Sequence, residues 1–283
     1  MFVGAGTRFL WWGLILLALS GCAHETALTQ ADIRLYSGLG EGALPAESDS
    51  LVCVSYNIEY SEKLEQALAD LTADPRLRHP DILLLQEMDP EGVAFLAGRL
   101  GMNYYYYPSF ISPHHGRLFG NAVLSPWPLG EPQSLVLPHP NPLTENRRAA
   151  LAVDVRIGTR TVRTVNVHLS TLIVDLEDRL EQAVIVGDSL VADTGPTIIG
   201  GDFNTGTSYE VTLFRRVARK AGFREARVLE DRTASGGPLD LVGYDLKLDH
   251  IYYRDLEFVA AGVSDKATAS DHLPVWSVFH WRD

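Results

Sequence analysis

The sequence has little that would form cross-links or attract polyanions. Only two of its 283 residues are cysteines, Cys22 and Cys53, so a disulfide framework is excluded. Lys and Arg number 24 against 36 Asp and Glu, which gives a formal net charge of −12. Because phosphate neutralisation needs clustered Lys and Arg, this argues against a protein that holds nucleic acid by a broad basic surface. An enzyme that approaches phosphate through bound cations is not excluded.

Long apolar runs, internal repeats and low-complexity blocks are also missing. The longest apolar run, Phe9 to Leu19, covers eleven residues, which is too short to span a bilayer. With near-average apolar content, a chain of this length can bury one large core. We therefore expect one main domain, residues 51–283, preceded by a polar, glycine-containing tether over residues 22–50.

The N-terminus is typical of an export signal. Arg8 precedes the apolar run, which ends in Leu19-Ser20-Gly21-Cys22, a sequence that resembles the lipobox of bacterial lipoproteins. The resemblance implies that residues 1–21 are a signal peptide and that Cys22 is lipidated. It places the protein outside the cytoplasm, at the periplasmic face of the outer membrane, since residue 24 is His rather than Asp. Ordinary cleavage near Ala23, leaving a soluble periplasmic protein, is the alternative.

Strand-like segments outnumber helical ones after residue 50, and many of them form hairpins. Gly158-Thr159 joins two long apolar runs and predicts such a hairpin. Pro90 is expected in the first turn of one helix, and Ser61 is expected to be the N-cap of the preceding helix, which begins just after Ser61. The pattern predicts an α/β protein with two packed, mostly antiparallel sheets and helices outside them.

Polar residues recur where the apolar strands end. Six such ends gathered at one edge of a sandwich would form a site, although a single one would be unremarkable. They carry Asn57, Glu87, His168, the pair Asp202 and Asn204, the pair Asp249 and His250, and the pair Asp271 and His272.

Six short motifs in this order resemble the endonuclease/exonuclease/phosphatase superfamily, and the resemblance covers about Leu51 to Trp281. The motifs are Ser55-Tyr56-Asn57, Leu85-Gln86-Glu87, Asn166-Val167-His168-Leu169, Gly200-Gly201-Asp202-Phe203-Asn204, Leu248-Asp249-His250-Ile251 and Ser270-Asp271-His272-Leu273-Pro274. The family fold is a four-layer α/β-sandwich, which agrees with the strand pattern.

The resemblance implies a metal site for Mg²⁺, with Mn²⁺ as an alternative. Glu87 corresponds to the principal ligand, Asn57 lies beside it, and Asp271 helps to hold the metal or its water. Because Mg²⁺ takes few carboxylates and keeps several waters, this set is chemically sufficient. Glu59 is either an extra metal contact or a solvated charge.

The resemblance also implies the catalytic set. His272 corresponds to a general base, with Asp249 accepting its other ring N–H. Asp202 aligns or deprotonates the attacking water, and whether Asp202 or His272 takes the proton stays open. Asn204 and His168 correspond to donors to the phosphoryl group. His250 is interpreted as structural.

One family feature is missing near His168. Deoxyribonuclease-like members carry a glutamate that orients this histidine, whereas the comparable stretch here is Asn146-Arg147-Arg148-Ala149. We therefore expect Glu145 or the backbone to hold His168. Arg147 or Arg148 could clamp a phosphate, or form a solvated pair beside a strand.

The function that follows is hydrolysis of a phosphoester by metal- and histidine-assisted attack of water, in a monomer. Endonuclease-like activity is favoured slightly, on family frequency alone. A sphingomyelinase-like or small-phosphoester activity suits an acidic chain anchored at a membrane. A catalytically silent binding lipoprotein is the alternative from another class, and the intact motifs oppose it.

Overall fold

The computed structural model of the chain describes residues 32–113, 115–191, 195–230, 232–234 and 246–282. The predicted signal peptide, residues 1–21, and the predicted lipidation site, Cys22, lie outside the described residues. Within these ranges, no helix combines the length and the apolar character needed to cross a membrane.

The described residues form thirteen strands and four α-helices. In chain order, the strands are β1 (Tyr36–Gly38), β2 (Ser50–Asn57), β3 (Ile82–Met88), β4 (Asn103–Ile111), β5 (Leu118–Ser125), β6 (Gln133–Val136), β7 (Ala149–Ile157), β8 (Arg160–His168), β9 (Thr197–Asp202), β10 (Arg224–Glu225), β11 (Asp249–Arg254), β12 (Leu256–Val263) and β13 (Val275–Trp281). The helices are α1 (Leu64–Ala73), α2 (Pro90–Leu100), α3 (Leu176–Leu190) and α4 (Ser208–Lys220).

The strands belong to two mixed sheets. One sheet has seven strands in the order β1-β4-β5-β3-β2-β13-β12, and the other has six in the order β10-β11-β9-β8-β7-β6. Among the described strands, each sheet contains one parallel pair, β2 with β3 and β8 with β9, and all other neighbours are antiparallel. The predicted α/β-sandwich of two mostly antiparallel sheets is therefore confirmed.

Three hydrophobic clusters hold four layers together. Residues such as Leu84, Val153 and Phe279 fill the space between the sheets. A second cluster packs α1 and α2 on the outer face of the seven-stranded sheet, and a third packs α3 and α4 on the other sheet. Because residues alternate between faces along a strand, each central strand contributes to two clusters, and its sequence is apolar almost throughout.

Turn and cap residues delimit two elements where the sequence indicates. Pro90 begins α2, and the carboxylate of Asp89 accepts a hydrogen bond from the Gly92 amide at 2.7 Å. Gly158 has a φ of 60° in the turn between β7 and β8, which confirms the predicted hairpin.

Two expectations were wrong. Ser61 does not cap α1, which begins at Leu64; its hydroxyl instead accepts a hydrogen bond from the Asp89 amide at 3.1 Å. The predicted tether, residues 22–50, is not free throughout, because Tyr36–Gly38 forms β1 and pairs with β4. The folded domain therefore begins before Leu51.

The parallel pair β8 and β9 approaches so closely that one position requires glycine. Gly201 has a φ of 141°, and a Cβ atom there would collide with the carbonyl oxygen of Val167. L-residues rarely adopt this conformation, and backbone atoms cannot move aside cheaply.

We expect Gly201→Ala to lower the free energy of unfolding by at least about 2 kcal/mol, because it combines backbone strain with a backbone collision. Gly98→Ala, in the exposed part of α2 with open space around it, is the matched control and should raise stability by about 0.5–1 kcal/mol. Urea unfolding followed by circular dichroism measures both. Equal effects of the two substitutions would contradict the prediction.

Candidate active site

The predicted site residues lie at one end of the cleft between the two sheets. Asn57 ends β2, Glu87 lies at the end of β3, and His168 ends β8. His168 pairs with Asp202, and Asp202 pairs with Asp249 on the next strand, so these three lie level across the sheet. Asp202 and Asp249 lie on the inner face of the sheet. Each is an even number of residues from an isoleucine of its own strand, Ile198 or Ile251, that belongs to the core between the sheets.

A chain of polar contacts connects four of these residues. His272 Nδ1 lies 2.9 Å from Asp249 Oδ2, and its Nε2 lies 3.8 Å from Asp202 Oδ2. The amide of Asn57 donates to Asp202 Oδ2 at 3.1 Å and lies 3.5 Å from His272 Nε2. All four residues are buried. The arrangement orients the imidazole from one side and places a carboxylate and an amide at the other.

Asp249 is itself held in place by Thr233, a residue without a signal in the sequence. The Thr233 hydroxyl donates to Asp249 Oδ2 at 2.8 Å, and it accepts from the amides of Leu248 and Asp249. Because a carboxylate fixed in this way cannot rotate freely, it determines which nitrogen of His272 carries a hydrogen.

Asp202 and His272 share a strongly perturbed environment. Burial, with a smaller contribution from Asp249, raises the pKa of Asp202 to about 7 against the opposing effect of His272. Burial alone would lower the pKa of His272, but the carboxylates of Asp249 and Asp202 outweigh it and raise that pKa well above its ordinary value. Asp202 and His272 therefore titrate as a linked pair, an arrangement that suits uptake of a proton from water.

His168 completes the site from the other side of Asp202. Its Nε2 lies 3.4 Å from Asp202 Oδ2, and its Nδ1 lies 3.4 Å from the guanidinium Nη1 of Arg148. The expectation that Glu145 or the backbone holds this ring is wrong, because Arg148 has that place. Burial and the positive charge of Arg148 both lower the pKa of His168, which favours the neutral imidazole.

Carboxylates gather at the opposite wall, around Glu87. Burial raises the pKa of Glu87, and Asp271 raises it further, although Arg148, His272 and a hydrogen bond from Asn57 oppose this. The pKa of Glu59 is also raised, by burial first and by the charge of Asp271 second. Asp271 is exposed at the rim. Carboxylates beside a side-chain amide fit a hard divalent cation, which Asn57, Glu87 and Asp271 would hold with Glu59 close to them.

A second group of potential ligand atoms belongs to Asp202, Asp249 and His272, whose atoms lie within 4.8 Å of one another. Asp249 Oδ2 and His272 Nδ1 already share a hydrogen bond, which a cation bound to either atom would displace. Proton transfer therefore explains this group better than metal binding.

Strained backbone conformations occur at two site residues. Glu87 has a φ of 59° and Asn204 a φ of 52°. Left-handed conformations cost non-glycine residues roughly 1–2 kcal/mol, and they persist only where surrounding contacts enforce them.

The contacts that enforce the turn at Asn204 come from a buried arginine of α3. Arg179 Nη1 donates to the Asn204 carbonyl at 2.8 Å, and Nη2 donates to Glu210 at 2.6 Å. The Asn204 amide donates to the Leu169 carbonyl at 2.9 Å, so one of its hydrogens is used inside the protein. A contact from Asn204 to a phosphoryl oxygen requires the other hydrogen.

Several of these supporting residues had no predicted role. Arg179 shares the buried face of α3 with Gln182 and Val186, and that helical spacing is a signal that could have identified it. Gln86 and Asn166 interrupt buried strands, and their side chains join across the cleft at 2.7 Å. Thr233 carries no such pattern.

His250 has a structural role, as expected. Its Nδ1 lies 2.9 Å from Glu225 Oε1, and its Nε2 lies 2.9 Å from the Thr205 hydroxyl. Both ring nitrogens are therefore occupied. The contact with Thr205 connects β11 to the turn that follows β9.

Comparison with known proteins defines the class. The sequence model described as the Endonuclease/Exonuclease/phosphatase family matches residues 54–272, so the chain belongs to this family. Family members typically hydrolyse phosphoesters and depend on metal ions.

Solved structures show the same fold. An endonuclease/exonuclease/phosphatase from Beutenbergia cavernae is 22% identical, with a TM-score of 0.62 over 82% of this chain and 72% of that one. The human Nocturnin catalytic domain with a bound sulfate anion is 18% identical, with a TM-score of 0.63 over 88% and 97%. D. rerio TDP2 complexed with a single-strand DNA product is 16% identical, with a TM-score of 0.63 over 82% and 100%.

Glu225, which supports His250, generates a prediction about pH. Burial alone would raise its pKa, but hydrogen bonds from His250 and Arg215 outweigh this and lower the pKa to about 2. Because the folded-state pKa is depressed, the stability that it contributes is present above the ordinary pKa of about 4.3 and is lost as pH falls through about 2. That contribution is on the order of 3 kcal/mol.

We expect Glu225→Gln to be less stable than the natural chain at pH 7, and the difference should shrink between pH 4.3 and 2 as the natural carboxylate becomes protonated. Urea unfolding at a series of pH values measures this difference. A gap between the two proteins that stays constant with pH would exclude an ionised Glu225 as its source.

Proposed function

We propose that this chain is a Mg²⁺-dependent phosphohydrolase that cleaves phosphodiesters by direct attack of water. The observation that carries the proposal is the linked set Asn57, Asp202, His272 and Asp249, with His168 beside Asp202 and Glu87 beside Asn57 at the same end of the cleft. A second reaction class is not favoured, since both the hydrogen-bonded base and the carboxylates that suit a cation are present.

In the proposed mechanism, Asp202 and His272 act as a pair that accepts the proton of the attacking water. Asp249 holds the imidazole of His272 and stabilises its charged form. His168 donates a hydrogen bond to a phosphoryl oxygen as negative charge develops there, and Asn204 donates a second one. Bound Mg²⁺, held by Glu87 with Asn57 and Asp271, would supply charge stabilisation for the phosphoryl group.

The location of the protein is part of the proposal. We infer that Cys22 is lipidated and that the enzyme works outside the cytoplasm, anchored to the periplasmic face of the outer membrane. The lipobox-like sequence after the apolar run supports this inference. Metabolic labelling with a radioactive fatty acid, compared between the natural chain and Cys22→Ser, tests it directly.

The main experiment is a panel of phosphoesters incubated with Mg²⁺, containing DNA, sphingomyelin, bis-p-nitrophenyl phosphate and p-nitrophenyl phosphate. We expect His272→Ala to lower turnover of the cleaved substrate by a factor of about 10² or more, as is typical for loss of a general base. The exposed His280, on β13 far along the strand from the site, provides the control His280→Ala with unchanged turnover.

Asp249→Asn tests the same role if His272→Ala does not fold. It keeps the shape of the side chain and removes the charge that orients His272. It should also lower turnover strongly. Full turnover in both variants would eliminate the proposed base. Cleavage of DNA with a steep dependence on salt would favour the endonuclease-like activity, and cleavage of sphingomyelin alone would favour the lipid alternative.

Metal binding is tested without turnover. We expect Glu87→Gln to weaken Mn²⁺ or Mg²⁺ binding in calorimetric titration by at least about tenfold, because it removes the principal charged ligand. Glu257→Gln, on the exposed face of β12, is the control and should bind metal normally. Unaltered affinity in the Glu87 variant would place the cation elsewhere.

A further inference from the structure

Arg148 connects the site to a neighbouring cavity of about 200 Å³. Its guanidinium contacts His168 on one side, and the side chain lines the cavity on the other. Amide and hydroxyl groups from Asn141, Asn146 and Ser170 contribute to the lining. Among the described residues that line it, Arg148 is the single charged one.

The guanidinium is fixed in position but has unused donors. It lies 5.1 Å from the ring centre of Phe119 and 5.8 Å from that of Phe110, so aromatic faces hold it on the apolar side. Within the described part of the chain, its one hydrogen bond is the contact with His168 Nδ1 at 3.4 Å. Arginine has five N–H donors, so four remain available to an acceptor in the cavity or the site.

The contact with Arg148 also determines which nitrogen of His168 carries a hydrogen. Arginine only donates, so Nδ1 of His168 must accept, and the hydrogen of the neutral ring is on Nε2. That nitrogen faces Asp202 and the predicted phosphoryl position. The free donors of Arg148 therefore lie one imidazole ring away from the place where the scissile phosphate would bind.

We propose that Arg148 and this cavity form a subsite for a second phosphoryl group of the substrate, adjacent to the scissile one. The inference rests on the proposed phosphohydrolase function. A planar guanidinium matches phosphate oxygens in a bidentate arrangement, and the remaining lining supplies neutral donors. A neutral substituent in the cavity would leave the remaining guanidinium donors without an acceptor, which is costly.

The substrate class is accordingly a phosphoester with a second phosphate a few bonds away. A nucleotide with a terminal phosphate and a short oligonucleotide both carry this chemistry. One pair of chromogenic substrates isolates it: thymidine 5′-(p-nitrophenyl phosphate) with and without a 3′-phosphate. The two compounds differ only in the second phosphate.

The measured quantity is the ratio of kcat/KM for the two compounds, determined within each variant. We expect the 3′-phosphate to raise kcat/KM at least about tenfold in the natural enzyme, as one charge-assisted bidentate contact would do. The ratio should fall to about one in Arg148→Ala and recover partly in Arg148→Lys. A loss of activity through His168 would lower both substrates together and leave the ratio unchanged.

Arg147→Ala is the matched control. Arg147 precedes Arg148, carries the same charge, is exposed and does not line the cavity. It should retain the natural ratio. A ratio near one in the natural enzyme, or equal ratios in the natural enzyme and Arg148→Ala, would overturn the subsite.

A binding measurement separates this inference from the proposed function. Calorimetry in EDTA compares thymidine 3′,5′-bisphosphate with thymidine 5′-phosphate, so that neither metal nor turnover contributes. If no substrate is hydrolysed but the bisphosphate binds more tightly through Arg148, the subsite stands and the hydrolase proposal fails. Equal affinities in the natural chain would remove the subsite. In the kinetic assay, a higher kcat/KM for a thymidine tetranucleotide than for the chromogenic 3′-phosphate would identify oligonucleotides as the source of the second phosphate.

Discussion

The hydrogen bond between Gln86 and Asn166 is the constraint on which the geometry of the cleft depends. It joins the two sheets at 2.7 Å, and both side chains are fully buried. Gln86 precedes Glu87 directly, and Asn166 lies two residues before His168, on the same face of its strand. The bond therefore fixes the separation of the two walls immediately beneath the groups that face each other across the cleft.

The same network connects stability with function. Asn166 also donates to the carbonyls of Leu85 and Ala122 at 2.9 Å and 2.7 Å, and these belong to the opposite sheet. An apolar core could slide between two sheets with little change in energy, whereas these bonds are satisfied in one alignment only. A buried amide without its partners costs about 1–3 kcal/mol, so the alignment that builds the site is also the stable one.

The sequence predicted the central strands and their polar ends, because an apolar run followed by a carboxylate or imidazole is a local pattern. It did not predict β1, β6 or β10, which are short edge strands. An edge strand pairs on one side only, so it needs little apolar alternation, and β6 is mostly exposed. The contact of Arg148 with His168 and the support from Thr233 depend on residues far apart in the chain, so local patterns could not identify them.

The support beneath Asn204 has a consequence for how substrate preference can change. Arg179 connects the turn after β9 to α3 and, through Glu210, to α4. The wall of the site that carries Asn204 is therefore held by two helices. The segment 141–148, by contrast, contributes mainly its surface side chains to the cavity. New selectivity can therefore evolve by exchanging the lining residues Asn141, Thr144 and Asn146, while Arg148, which contacts His168, and the wall held by Arg179 are retained.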